Sequence, residues 1–302
     1  MTKTDNKYHI PVLLEESIEG LNINPDGIYV DVTFGGGGHA KEILNKLNKG
    51  KLIAFDQDEC AKQNIINDSR FIFIQANFSF IKNFLSLHGI EKVDGIIADL
   101  GISSYQIDTP ERGFSTRFDS FLDLRMNQKN KLSGAYIVNN YELAELKKIF
   151  KEYGELNNAH LIAQRIIKMR EVKPINTTTE LIKAIDSLVA KNKNKFLAQV
   201  FQALRIEVNE ELEMLKCLLN QAKELLAPGG RLVIITYHSL EDRLVKNFMR
   251  AGNFEGDIEV DFYGNKILAF ELINKKPICV SEREMKINSR SRSAKLRIAK
   301  KR

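Results

Sequence analysis

Four short apolar runs between residues 28 and 99 alternate with stretches of helical spacing, and each run ends in glycine or a polar side chain. Ile28-Tyr29-Val30-Asp31-Val32 leads into Gly35-Gly36-Gly37-Gly38-His39, and residues 51–55 end at Asp56. Residues 71–74 lead to Asn77-Phe78, and residues 93–98 end at Asp99. Strands of this kind, separated by helices such as that expected over 40–47, predict parallel βαβ units with right-handed crossovers. The fold class is therefore α/β, a Rossmann-like doubly wound sheet.

Ligands bind such sheets beyond the carboxyl ends of the strands, so the glycine loop, Asp56, Phe78 and Asp99 should converge on one crevice. The glycines let the backbone approach a ligand, and the helix after them offers N–H groups to a carboxylate. Asp56 is placed to accept both hydroxyl hydrogens of a ribose. Asp99 closes an otherwise apolar strand, where a carboxylate is costly unless it faces solvent or a ligand. His39 reads either as a helix cap or as a ligand contact, and Phe78 either as an adenine platform or as core.

Two cofactors fit that loop. Gly35-x-Gly37-x-x-Ala40, with an acid about 20 residues on, satisfies the dinucleotide fingerprint and would suit an NAD-dependent oxidoreductase. Three features favour S-adenosyl-L-methionine: Asp31 inside the first strand, the Leu226-Ala227-Pro228-Gly229-Gly230-Arg231-Leu232 entry to a strand at 231–236, and an antiparallel hairpin expected from 258–262 and 266–273.

From Gln106 to Phe196 the rhythm breaks into polar, helical sequence, with helices expected at 142–153, 158–170 and 178–189 and one long helix over 198–226. The expected division is a donor-binding domain from 1–107 and 197–302, with a helical substrate-recognition domain inserted at 108–196. The formal charge of +6 is concentrated in residues 275–302, which carry a local +9 and leave −3 for the remainder. A basic tail suits phosphate binding by counterion release, Arg290 and Arg292 alternate there with serines, and Leu296 and Ile298 imply that part of the tail docks. No apolar run approaches the roughly 20 residues that span a bilayer, and the first eight residues are polar, so a cytoplasmic protein without membrane partners is expected. Cys60, Cys217 and Cys279 are too scattered to suggest a metal site.

Six segments, read in order, are more specific: His9-Ile10-Pro11-Val12-Leu13-Leu14, Asp31 through His39, Asp99-Leu100-Gly101-Ile102-Ser103-Ser104-Tyr105-Gln106, Glu111-Arg112-Gly113-Phe114-Ser115, Phe201 through Asn209, and His238-Ser239-Leu240-Glu241-Asp242-Arg243. Together they resemble the RsmH (MraW) family of ribosomal RNA methyltransferases. The resemblance implies a class I S-adenosylmethionine-dependent methyltransferase core with an inserted helical domain. It implies methylation of the exocyclic N4 amine of a cytidine in the decoding region of bacterial 16S ribosomal RNA, with the RNA or the small subunit as partner; the sequence leaves monomer and homodimer both open. It also implies donor contacts from Gly37, Gly38, His39, Asp56, Phe78, Asp99 and Gln106. Tyr105, Phe121 and Ser289 stand where the family usually has proline.

Asp99 is the expected catalytic group: it, or backbone carbonyls beside it, accepts an amine hydrogen and orients the nitrogen. On the substrate side, Arg112 could contact phosphate or hold its loop by an ion pair. Phe114, Phe118, Tyr105 and Tyr237 are candidates for stacking on a splayed base, with core packing the other reading of the two phenylalanines. Gln202, Arg205 and Asn209, at i, i+3 and i+7, share one helix face and either reach the substrate or form a buried interdomain hydrogen-bond network. His238 is a possible base, with Ser239-x-x-Asp242 as a capping box. A non-catalytic RNA-binding protein is the remaining alternative, against which the glycine loop, Asp56 and Asp99 all argue.

Overall fold

The computed structural model describes residues 11–189 and 192–302, so His9 and Ile10 of the first motif lie outside the described residues. Backbone contacts divide the chain into two units, one running up to Gly101 and resuming at Glu213, the other Ile102–Leu212.

The first unit opens with α1 (Leu14–Leu21), followed by β1 (Ile28–Asp31), α2 (Gly38–Lys46), β2 (Lys51–Phe55), β3 (Phe71–Ile74), α3 (Ile81–Leu87) and β4 (Val93–Asp99). The second holds α4 (Ser104–Asp108), α5 (Gly134–Asn140), α6 (Leu143–Glu152), α7 (Ala159–Val172), α8 (Thr178–Ile185) and α9 (Lys193–Asn209). After α10 (Glu211–Leu225) the first unit continues with β5 (Leu226–Thr236), α11 (Ser239–Ala251), β6 (Phe270–Leu272), β7 (Ile278–Cys279), α12 (Glu282–Ile287) and β8 (Lys295–Lys301).

The eight strands form one sheet in the order β3-β2-β1-β4-β5-β8-β6, with β7 also on β8. The pairs from β3 to β5 are parallel, and β8 runs antiparallel to β5 and β6. Strand residues alternate between two cores, as a sheet buried on both faces requires. Val30, Ile53, Ile96, Leu232 and Ile234 pack with Ile81 and Leu85 of α3, Leu218 and Leu219 of α10 and Phe248 of α11. Tyr29, Leu52, Ile97, Val233 and Ile235 pack on the other face with Ile18 and Leu21 of α1 and Ile43 and Leu44 of α2. The chain order reverses between β1 and β4, which puts the switch-point crevice at the carboxyl ends of those two strands.

Two expectations about this unit need correction. The hairpin of 258–262 and 266–273 does not supply the antiparallel strand beside β5: Val260 and Lys266 form only an isolated bridge, and Phe262 is 97% exposed. That strand is β8, from the segment expected to be a basic tail. Its apolar side chains decide this, because Leu296, Ile298 and Ala299 fill the cores on either side of the sheet. The buried Arg297 is neutralised by Asp242, to whose carboxylate its Nε and Nη2 donate at 2.7 and 3.2 Å.

The second unit has its own core, in which Ile149 and Phe150 of α6 meet Ile162 and Ile166 of α7, Leu181 of α8 and Val200 and Leu204 of α9. Thr177 and Glu180 form a capping box at the start of α8. The long helix expected over 198–226 is broken at Glu210, which adopts a left-handed conformation (φ 51°). The Arg205 guanidinium holds the Glu211 carboxylate across the break with two bonds, at 2.8 and 2.9 Å. Since α9 buries its apolar face in the helical core, it belongs to that unit and not to the sheet unit, where the sequence reading placed it.

Candidate active site

Strand ends of the sheet unit bring together most of the residues singled out in its sequence. The chain leaves β1 through Asp31, whose Oδ1 accepts the Thr33 N–H at 3.0 Å, and the Thr33 hydroxyl accepts the Asp99 N–H at 2.6 Å. The two strand ends flanking the switch point are thereby tied together. The loop turns at Gly37, a left-handed residue (φ 74°) that N-caps α2. A Cβ on Gly38 would come within 2.0 Å of the Pro11 ring, so only glycine lets the loop pass beneath the N-terminal segment. His39, 7% exposed, directs Nε2 at the Val12 carbonyl (3.2 Å), so its ring anchors that same segment and does not cap the helix.

Asp56, just beyond β2, accepts the Gly35 N–H on Oδ2 (2.7 Å) and the Asp58 N–H on Oδ1 (2.8 Å). It thus holds the glycine loop. Asn64 donates to the Gly35 carbonyl at 2.9 Å from the other side. Phe78 follows β3 and is only partly buried, with one side of the ring against the core.

Asp31 is 2% exposed, and burial, reinforced by the charges of Asp99 and Asp56, pushes its pKa up to about 7 despite the Thr33 bond. Asp99 is also pushed up to about 7, first by burial and then by Glu241 and Glu284, against the lowering effect of a bond from the Tyr237 hydroxyl (2.8 Å). Glu284 belongs to α12, in the supposed tail, and its carboxylate accepts the Leu13 N–H at 2.9 Å. Neither Thr33 nor Glu284 carried any signal in the sequence, since one is an ordinary loop threonine and the other sits in a lysine- and arginine-rich stretch. His238 is the N-cap of α11, in a capping box with Glu241, one residue earlier than the expected Ser239-x-x-Asp242 box.

Residues 6–302 match the MraW methylase family. The chain belongs to that family. Proteins designated ribosomal RNA small subunit methyltransferase H are among its relatives. That of Flavobacterium johnsoniae is 57% identical over 300 residues, covering 99% of each chain. That of Bacteroides thetaiotaomicron is 55% identical over 303 residues, covering 100% of each, and that of Amoebophilus asiaticus is 56% identical over 301 residues, covering 99% of this chain and 97% of its own.

Several family-motif residues in the helical unit do structural work there. Gln106 is buried in the capping box of α4, where its Oε1 accepts the Ser103 N–H. Arg112 is 2% exposed and donates to the carbonyls of Arg125 and Met126 at 2.8 and 2.9 Å, so it holds its loop and is not an exposed phosphate contact. Phe114 is 8% exposed within the helical core, which excludes it as a stacking platform. Asn209 accepts the Met126 N–H at 2.7 Å and donates to the Leu124 and Arg205 carbonyls, while Gln202 donates to the Tyr153 carbonyl. With the Arg205–Glu211 pair, all of these bonds lie within the helical unit, so the network they form is not the interdomain one expected. Arg290 and Arg292 are exposed on a short 3-10 turn, Ser289–Ser293.

Proposed function

We propose that this chain transfers the methyl group of S-adenosyl-L-methionine to the N4 amine of a cytidine in the decoding region of 16S ribosomal RNA. One observation carries the reading beyond family membership: Asp31 and Asp99 end β1 and β4, Asp56 follows β2 and holds the glycine loop, and the charges of Asp56 and Asp99 reach Asp31. Such a site attracts a donor bearing a sulfonium and an ammonium, and repels the anionic pyrophosphate of a dinucleotide. Space for a ligand exists at the loop, since a Cβ on Gly36 would meet nothing within 4 Å. Gly37, Gly38 and the first turn of α2 would hold the donor's carboxylate. The second lone pairs of the Asp56 oxygens would accept the ribose hydroxyls, and Phe78 would flank the adenine.

When bound, S-adenosylmethionine supplies an electrophilic methyl group and leaves as the neutral thioether. Asp99 orients the weakly nucleophilic cytosine amine by accepting one of its hydrogens on Oδ2, which makes no hydrogen bond among the described residues. As the N–C bond forms and the S–C bond breaks, the positive charge gained by nitrogen is relieved by loss of that proton, taken by the Asp99 carboxylate and passed to water. Arg290 and Arg292 contact phosphates of the RNA.

Incubation with tritiated S-adenosylmethionine and small subunits from a strain lacking the gene is expected to place label in methylcytidine. Asp56→Ala should weaken donor binding at least about tenfold by calorimetry, from the loss of two charge-assisted hydrogen bonds. Label confined to other nucleosides, or tight NAD binding in place of S-adenosylmethionine, would reject the assignment.

A further inference from the structure

Tyr237 follows β5 directly, and its sequence context suggested only a base-stacking aromatic. Its side chain is instead directed at Asp99: the phenol donates to Oδ1 at 2.8 Å, and that carboxylate's other oxygen has no hydrogen-bond partner among the described residues. The tyrosine is held at its other end as well. Its N–H donates to the Glu241 carboxylate at 2.9 Å, inside the capping box that starts α11. The ring lies against Gly101, where a Cβ would approach it to 3.4 Å. Pairing of Ile235 with Asp99 across β5 and β4 sets the register that brings hydroxyl and carboxylate together.

We propose that the Tyr237 hydroxyl is a positioning group for methyl transfer, clamping one oxygen of Asp99 so that the other faces the amine to be methylated. This rests on the methyltransferase reading above and adds a residue to it. The clamp also has an electrostatic consequence. Burial, Glu241 and Glu284 all favour the protonated form of Asp99, and the phenol bond is the group that opposes them. A protonated Asp99 would offer the amine a donor where an acceptor is required. Phenylalanine at 237 would keep the ring against Gly101 and remove only the clamp.

The test uses the full chain with Tyr237→Phe, and with 3-fluorotyrosine placed at position 237 as a stronger donor of the same shape. Carboxyl-carbon NMR of aspartate-labelled protein, with Asp99→Asn to assign the signal, reads the Asp99 titration directly and needs no substrate. The expected result is an upward shift of about one pK unit in Tyr237→Phe and a downward shift in the fluorotyrosine protein. Methyl transfer to small subunits should follow: the acidic limb of kcat moves up by the same amount, so turnover falls about fivefold at about pH 7 and by less than about twofold at about pH 9. Affinity for S-adenosylhomocysteine at about pH 9 should be unchanged, which establishes that the variant is folded. Coincident titration curves for Asp99 in wild type and Tyr237→Phe overturn the proposal. A titration that shifts while kcat stays constant at every pH overturns it equally. If wild-type protein places no label in cytidine but the NMR shift is seen, the functional reading fails and the clamp stands as a property of the carboxylate alone.

Discussion

At the scale of the residue, the crevice is defined by carboxylates that are expensive to ionise. Asp31 is buried beside Asp56 and Asp99, and its pKa is raised to about 7. A raised acid binds its proton more tightly in the folded state than in the unfolded chain, so its contribution to stability is complete below about pH 4 and is lost as pH rises through 7. Asp31→Asn keeps an oxygen for the Thr33 N–H and removes the charge. The ligand-free variant is therefore expected to gain stability over wild type by roughly 2–3 kcal/mol between about pH 5 and about pH 8.5. Thermal melts that differ by the same amount at both pH values would disprove this origin of strain. Asp56 and Asp99 were legible in the sequence because each closes a strand, and Asp31 because it stands inside an otherwise apolar one. Arg112, Phe114 and Asn209 were not legible, because a polar or aromatic residue type does not disclose whether its partner is a ligand or a backbone carbonyl.

At the scale of the element, β8 is the least expected part of the molecule. Leu296 and Ile298 imply that part of the basic tail docks, and both are buried, with Ala299; that they do so as a strand of the sheet, with Arg297 matched by Asp242, had no sign in the sequence. Deleting residues 294–302 should leave β5 with an unpaired edge and open both cores, giving an insoluble or molten protein. Replacing the exposed Arg290 and Arg292 together by alanine should leave the melting temperature within about 1 °C of wild type, and should lower the slope of log affinity for RNA against log salt by about one to two. A soluble, cooperatively melting truncation would contradict the first expectation, and an unchanged salt slope the second. The break at Glu210 belongs to the same scale. Without glycine or proline there, helical periodicity simply runs on, and the break depends on side chains that meet only in the folded helical unit.

At the scale of the whole molecule, each unit has a hydrophobic core built from its own residues. Ligand linkage should respect that division, because binding stabilises the elements that contact the ligand. Saturating S-adenosylhomocysteine is expected to slow amide exchange at residues 31–39, 56–58 and 99–101 by at least about tenfold, and to leave α6 and α7 within about twofold. Equal protection in both units would refute a donor site confined to the strand ends.

The sequence by itself determined the parallel half of the sheet, the glycine loop and the acidic strand ends, because local periodicity and strand-to-loop transitions are written into consecutive residues. Tertiary structure alone decided three further matters: which segment completes the sheet, where the long helix breaks, and what each buried polar residue holds. Each depends on partners distant in sequence: β5 selecting β8 by apolar fit, Leu124 and Met126 holding Asn209 at the end of α9, and the Tyr237 phenol meeting Asp99 across 138 residues. No local pattern encodes such a meeting, since its free energy exists only once both cores have closed around it.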